Sequence, residues 1–181
     1  MTSPQPRSRR RTRWILLTAA VVSAVVAALV FEPWKLVVNE RVQESAPGVT
    51  PTLTTAAEPV ASRPVVLARG AFISHEHDST GTVSVLGLPD GSRVLRLEDL
   101  RTSNGPLLEV WLSDAPVIDG VDGWRVFDDG RHVDLGDLKG NIGSSNYPIP
   151  AGVDLAALPS VSIWCDRFDV SFAAAAPHPV A

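Results

Sequence analysis

The sequence SVSIWCDRFDVSFAAA, residues 160–175, decides the fold of this chain. Val161, Ile163 and Cys165 occur at every second position of its first half, a period that is typical of a half-buried β-strand. Successive side chains of a strand point to opposite faces. The pattern therefore predicts that Cys165 shares a face with Val161 and Ile163, and that Trp164 lies on the other face.

A second strand is predicted after a short break at residues 166–167. Val170, Phe172 and Ala174 again occur at every second position, so we expect them on one face. Cys165 is the only cysteine of the chain and cannot form a disulfide within it. It is either a small hydrophobic residue packed in a core or a chemically active thiol, and the pattern leaves both interpretations open.

The residues before this segment predict an all-β domain. Short alternating stretches at 81–88, 92–102 and 108–113 are separated by glycine, proline, aspartate and asparagine, which favour turns. Asn104-Gly105 predicts a hairpin between the second and third of these stretches. About seven or eight short strands and no long helix indicate an antiparallel β-sandwich or a barrel-like domain.

The N-terminal region predicts a membrane anchor. A basic tail, residues 1–13, contains five arginines and precedes an uncharged apolar stretch, residues 14–31. At 1.5 Å per residue this stretch forms about 27 Å of helix, close to the thickness of a bilayer core. The arginines place the N-terminus in the cytoplasm and the rest of the chain outside the cell membrane, as a single-pass protein. A cleaved signal peptide is the alternative, and it exports the chain as well.

Residues 32–64 are predicted to connect the helix to the domain. They comprise a juxtamembrane segment, in which Trp34, Val38 and Val42 recur at helical spacing, and a linker rich in proline and threonine. Such a linker would hold the domain several tens of Å from the membrane. The domain is expected to span residues 65–176, with a short tail at 177–181.

The charge of the domain excludes one class of partner. From residue 65 onward there are eight lysines and arginines against sixteen aspartates and glutamates, a net charge of −8. A strongly acidic domain is unsuited to nucleic acid, whose phosphates attract basic surfaces. The sequence also lacks the common phosphate-loop, serine-hydrolase and zinc-protease motifs, so a classical enzyme is not expected.

His75 and His77 form an H-x-H pair. On a strand, both imidazoles would lie on one face, a usable geometry for zinc or copper if Cys165 supplied a third, soft ligand. Two histidines in an ordinary polar loop are the alternative, because the neighbouring sequence offers no third ligand.

Several short motifs occur in one order along residues 69–175, and together they resemble the DM-thirteen domain. They are Phe72, His77 before Gly81-Thr82-Val83, VLRLEDL at 94–100, Gly105-Pro106, LKGNIG at 138–143, YPIP at 147–150 and SIWCDRFDVSF at 162–172. The family is found beside DOMON domains in surface proteins of animals and plants, and alone in exported bacterial proteins.

The resemblance implies an all-β domain with an electron-transfer role. The family's cysteine corresponds to Cys165, as a redox thiol or as a ligand of haem or copper, and its histidine corresponds to His77, as a supporting cofactor ligand. His75 has no counterpart in the family. Because no DOMON or cytochrome-type domain accompanies it here, electron transfer would require a redox partner protein in trans. The other hypothesis is a non-catalytic binding or structural module of the cell envelope, with Cys165 buried in the core.

Overall fold

The computed structural model describes residues 7–31, 33–36, 38–48 and 63–180. The first six residues of the predicted tail and residues 49–62 of the predicted linker lie outside this range. An N-terminal helix, α1, spans Arg7–Phe31 and contains a segment, Arg11–Val30, with a mean hydropathy of 2.2 and no burial within the protein. Its length and composition suit either a membrane span or a signal sequence.

Eleven strands are present in the described part of the chain, and eight of them have six residues or more. They are β1 (Arg41–Gln43), β2 (Val65–Ala71), β3 (Ile73–Ser74), β4 (Thr80–Gly87), β5 (Arg93–Arg101), β6 (Leu108–Ser113), β7 (His132–Asp137), β8 (Ile142–Ile149), β9 (Ser160–Cys165), β10 (Val170–Ala175) and β11 (His178–Pro179). Sheet A has the order β1-β8-β5-β4-β2-β11, and sheet B has the order β3-β10-β9-β6-β7. All neighbouring strands are antiparallel except β1 and β8.

The two sheets form a sandwich around one main hydrophobic core, which confirms the all-β prediction and decides between sandwich and closed barrel. Alternate residues of sheet A, such as Val83, Leu95 and Leu97, pack against Val110 and Ile163 of sheet B. All five are completely buried. Burial of this apolar surface is the main force that holds the sheets together.

Strand β9 is buried on both faces, whereas its pattern predicted burial on one. Cys165 lies in the main core, as expected, and Trp164 lies in a second cluster on the opposite face. This second cluster is covered by Ala115 and Phe127 from the segment between β6 and β7. That segment is distant in sequence, so periodicity within β9 could not reveal it.

The predicted single face of Val170, Phe172 and Ala174 is wrong for the last residue. A β-bulge shifts the register of β10 between Ser171 and Ala173. Since a one-residue shift exchanges the two faces of a strand, Phe172 packs in the main core and Ala174 in the second cluster.

The predicted Asn104-Gly105 hairpin is also wrong. Strand β5 belongs to sheet A and β6 to sheet B, so residues 102–107 cross from one sheet to the other. We call these residues the crossover. The side-chain Nδ2 of Asn104 donates a hydrogen bond to the carbonyl oxygen of Val38 at 2.9 Å, and its Oδ1 accepts one from the backbone amide of Gly105 at 2.9 Å. Asn104 therefore fixes a tertiary contact in place of a tight turn.

The segment after α1 is part of the sandwich, in contrast to the predicted juxtamembrane helix and spacer. Pro33–Leu36 forms one 3₁₀ turn, and β1 pairs in parallel with β8 at the edge of sheet A. Residues 49–62 therefore connect β1 to β2 within one sheet. The connection from α1 to sheet A is residues 32–40, nine residues that include the 3₁₀ turn and could span at most about 30 Å. At the other end, β11 adds residues of the predicted tail to the opposite edge of sheet A.

Candidate functional site

Cys165 is the last residue of β9 and lies at one end of the sandwich. It is opposite Leu108 of β6 on one side and Val170 of β10 on the other. No part of the residue is exposed to solvent. The alternation of β9 turns the side chain inward, and both neighbouring strands supply apolar side chains around it.

The thiol has one hydrogen-bond acceptor. Sγ of Cys165 donates to the carbonyl oxygen of Pro106, in the crossover, at 3.2 Å. Burial raises the pKa of the Cys165 thiol, and the nearby carboxylates of Glu76 and Asp166 act in the same direction. The backbone amides of Phe168 and Arg167 oppose this rise in pKa, but burial is the largest effect. The folded protein therefore holds a neutral thiol at neutral pH, and the nucleophilic form of cysteine is the thiolate.

Two short segments cover the thiol. One is the crossover, and the other is the four-residue turn between β9 and β10, residues 166–169. The amide of Asp166 donates to the carbonyl oxygen of Leu107 at 3.0 Å and so joins the two segments. We call them together the thiol cover. Leu107 and Phe168 are 42% and 44% exposed, so the cover is a thin layer between Cys165 and solvent.

The thiol cover contains unusual backbone conformations. Three non-glycine residues in the described part of the chain have a positive φ, and two of them are in the cover: Leu107 at 51° and Asp169 at 49°. Aspartate tolerates this region, but leucine rarely adopts it. Such a conformation costs about 1–3 kcal/mol and persists only where surrounding contacts enforce it. Here Arg125 is one such contact, because its Nη1 donates to the carbonyl oxygens of Phe168 and Asp169 at 2.9 and 3.0 Å.

His77 lies beside the same region but contacts other groups. Its ring packs on the ring of Phe172 with centroids 4.0 Å apart, and its Nε2 lies 3.9 Å from a carboxylate oxygen of Glu76. The ring of Phe172 also faces Gly105, where an added Cβ would lie 3.0 Å from Cζ. The contacts of His77 therefore reach the crossover through Phe172.

His75 lies in a loop after β3 and points away from the main core. It is 6% exposed, and its Nε2 is 3.1 Å from the carbonyl oxygen of Ile118. Its ring packs near Phe127 of the second cluster, with centroids 5.9 Å apart. Burial lowers the pKa of His75, against the opposing effects of the Ile118 bond and the charge of Asp119. A neutral ring that donates from Nε2 leaves Nδ1 as a buried acceptor with no partner among the residues that the structure describes.

The residues proposed for a haem, copper or zinc site do not form a ligand set in this arrangement. His75 and His77 contact aromatic rings of different clusters, so they do not present one face as the strand interpretation required. Within the described ranges, no group of three or more histidine, cysteine, aspartate or glutamate residues could hold a metal ion. The thiol of Cys165 is hydrogen-bonded to Pro106 and surrounded by apolar residues, so it has no exposed surface at which to bind a metal. We therefore derive no chemistry through a metal or haem.

Sequence reasoning missed the groups that control the thiol. From the sequence, Pro106 was selected only as part of the Gly105-Pro106 motif, whereas its carbonyl oxygen is the acceptor of the Cys165 hydrogen bond. The sequence could not identify Leu107 as unusual, because only its positive φ distinguishes it from other leucines. The Gly105-Pro106 motif was a usable signal, since it lies in the crossover that contacts Cys165.

Comparison with known proteins gives one result. A family model described as "Electron transfer DM13" matches residues 71–176, which is more than half of the chain. Searches of curated proteins and of solved structures returned no match. The chain belongs to the DM13 family, and the matched range includes Cys165, His77 and the thiol cover.

Proposed function

We propose that this DM13 protein is held in the cell membrane by α1 and displays its sandwich on the extracytoplasmic side. Support comes from the apolar segment Arg11–Val30 and from the arginines at its N-terminal end. Because only nine residues separate α1 from β1, the sandwich would lie next to the membrane surface. This differs from a domain raised on a long spacer.

We propose further that the domain takes part in electron transfer through Cys165, and that the thiol reacts only when its cover opens. One observation carries this proposal. The single cysteine lies directly beneath a thin cover that contains Leu107 and Asp169, two of the three non-glycine residues with a positive φ in the described ranges. Strained positions cluster at functional and switching segments. In addition, opening removes the burial that is the largest cause of the raised pKa of the Cys165 thiol, so the thiolate becomes more accessible in the open state.

The corresponding chemistry needs a partner, because one cysteine cannot form a disulfide alone. On opening, solvent takes the proton of Cys165, and the thiolate attacks one sulfur of a disulfide in a partner protein. The partner's S–S bond breaks, a new S–S bond forms to Cys165, and the partner's second sulfur leaves as a thiolate. Cys165 is oxidised and the departing sulfur is reduced.

A second candidate function is a non-catalytic binding or structural module of the cell envelope. The complete burial of Cys165 favours it, since a free cysteine in a core behaves as a small hydrophobic residue. The two candidates differ in one measurable quantity, which is the free energy required to expose the thiol.

Thiol labelling of the full chain in a neutral detergent distinguishes them. The free energy of opening is obtained from the labelling rate and compared with the free energy of global unfolding in urea. The matched control is the double variant Cys165→Ala, Ile163→Cys. It moves the thiol two residues along the same face of β9 to a site that is equally buried and lies away from the cover.

If the cover opens locally, Cys165 should label at least about thirtyfold faster than the control thiol, a difference of about 2 kcal/mol after correction for stability. If both thiols label only at the rate of global unfolding, the gated redox proposal is wrong. The non-catalytic module then accounts for the burial of Cys165.

A further inference from the structure

The outer face of sheet A carries a cavity of about 530 Å³ that is unrelated to Cys165. Its floor is formed by residues of β2, β4 and β5 that point away from the main core, among them Arg69, Ser84, Arg96 and Glu98. Its rim is formed by residues 46–48, which follow β1, and by Arg63 and Pro64, which precede β2.

The rim is a close packing contact between the segment that follows β1 and the segment that precedes β2. Gly48 has a φ of 76°, and a Cβ at this position would lie 2.7 Å from the ring of Pro64. Only glycine allows this backbone conformation together with such close packing. The two ends of residues 49–62 are therefore brought together beside the cavity.

The floor holds two arginines against one carboxylate. Glu98 accepts from Nε of Arg96 through Oε1 and from Nη2 of Arg69 through Oε2, each at 3.1 Å. Nε of Arg69 also donates to Ser84 at 3.2 Å. This network holds the buried Arg96 guanidinium in place and orients the Arg69 guanidinium, whose side chain is 57% exposed, so part of the rotamer entropy cost of ligand binding is already met.

Arg96 has donor capacity that the protein does not use. Its side chain is only 9% exposed, and its Nη1 donates to the carbonyl oxygen of Glu44 and to Asn146. Its Nη2 has no hydrogen-bond acceptor among the described residues. Nη2 is not among the buried side-chain nitrogens that lack a partner, so it is open to the cavity and can donate to a ligand that displaces water.

The charge of the cavity is opposite to that of the domain. Arg63, Arg69 and Arg96 contribute three positive charges and Glu98 one negative charge, within a domain that carries a net charge of −8 from residue 65 onward. Planar guanidinium groups match the oxygens of phosphate in pairs. We propose that this cavity binds the phosphate group of a phosphate ester, with Arg96 and Arg69 as the principal donors.

The remainder of the cavity indicates what the phosphate is attached to. Val66, Leu86, Pro47 and Pro64 give it apolar walls, and its volume is several times that of one phosphate ion. An ester with an apolar or sugar-like portion would fill this space. Both a soluble phosphate ester and the headgroup of a phospholipid have the required chemistry.

Protection of arginine from phenylglyoxal, followed by mass spectrometry, tests the proposal on the full chain in nanodiscs. Inorganic phosphate and glycerol 3-phosphate are added in the soluble arm, with nanodiscs of phosphatidylcholine. In the membrane arm, the nanodiscs contain phosphatidic acid and no soluble phosphate is added. Arg101, an exposed residue of β5 outside the cavity, is the internal control.

We expect Arg69 to be protected in one arm, with a Kd of about 1 mM or tighter in the soluble case, while Arg101 remains reactive. The variant Arg69→Gln should weaken binding about tenfold, because one charge-assisted contact is lost. Binding to this variant is measured by the protection of Arg63. The matched variant Arg101→Gln should leave binding unchanged.

Protection in the soluble arm would identify a free phosphate ester, and protection only with phosphatidic acid would identify a lipid headgroup. The proposal is overturned if Arg69 stays reactive in both arms. It is equally overturned if Arg101→Gln weakens binding as much as Arg69→Gln, since the effect would then come from overall charge.

Discussion

Replacement of Asn141 by alanine tests whether the segment after α1 is an integral part of the sandwich. Asn141 is 1% exposed, and its side chain makes three hydrogen bonds. Oδ1 accepts from the amide of Glu40 at 2.8 Å, and Nδ2 donates to Oδ1 of Asn39 at 2.9 Å and to the carbonyl oxygen of Thr102 at 2.7 Å. One side chain thus connects the start of β1 to sheet A and to the crossover.

The expected loss follows from these three bonds. Each typical hydrogen bond contributes about 1 kcal/mol net, and a buried group left without a partner costs more. The carbonyl of Thr102 is buried, whereas the amide of Glu40 lies in a partly buried contact that water can reach. We therefore expect Asn141→Ala to lower the free energy of unfolding by about 3 kcal/mol. This corresponds to a decrease of about 2 M in the urea midpoint.

Hydrogen exchange locates the effect. The amide of Glu44 donates to the carbonyl oxygen of Ser144 at 2.8 Å and reports on the pairing of β1 with β8. Its protection should fall by about a hundredfold in Asn141→Ala if β1 detaches. Ser160→Ala is the matched control. Ser160 is equally buried, and its hydroxyl lies 2.8 Å from the carbonyl oxygens of Ser113 and Ala115, which share its single proton. This variant should destabilise the domain without selectively releasing Glu44. Unchanged protection of Glu44 in Asn141→Ala would refute the reasoning.

Three further predictions concern the thiol, the second cluster and the anchor. Cys165→Ala should cost about 1–2 kcal/mol at neutral pH. Because the folded thiol has a pKa raised above its ordinary value of 9.0, the wild type loses stability as the pH rises from that value through the folded pKa. The difference in free energy of unfolding between the wild type and Cys165→Ala should therefore narrow above pH 9 in urea titrations. A constant difference would contradict the burial of Cys165. Phe127→Ala should lower stability by about 3 kcal/mol and shift tryptophan emission to longer wavelength, because Phe127 covers Trp164 with ring centroids 6.4 Å apart. Removal of residues 14–31 should move the protein from the membrane fraction to the soluble fraction, and its persistence with membranes would show that the anchor is elsewhere.

The sequence was sufficient to predict the family, the fold class and the two faces of β9. Alternation in residues 160–165 correctly placed Cys165 and Trp164 on opposite faces, because side-chain direction in a strand depends only on the strand itself. Turn residues at short intervals indicated many short strands, and apolar composition indicated the N-terminal helix. Side-chain alternation, turn residues and apolar composition depend on neighbouring residues of the chain, so they can be read from the sequence directly.

The candidate site was only partly predictable for a related reason. Cys165 and His77 could be selected from their chemistry, but their surroundings could not. The acceptor of the thiol comes from Pro106, 59 positions earlier in the chain. The bulge after Ser171 changed the face of Ala174, because a bulge depends on pairing with a neighbouring strand.

The sequence by itself determined that this chain has an apolar N-terminal helix, a β domain of the DM13 family and one inward-facing cysteine. Only the tertiary structure decided that β1 belongs to sheet A, that residues 49–62 connect two strands of that sheet, and that the thiol lies beneath a strained cover. The physical reason is that strand pairing and burial depend on residues far apart in the chain. Backbone hydrogen bonds, which form the pairing of β1 with β8, carry no signature in the side chains of either strand.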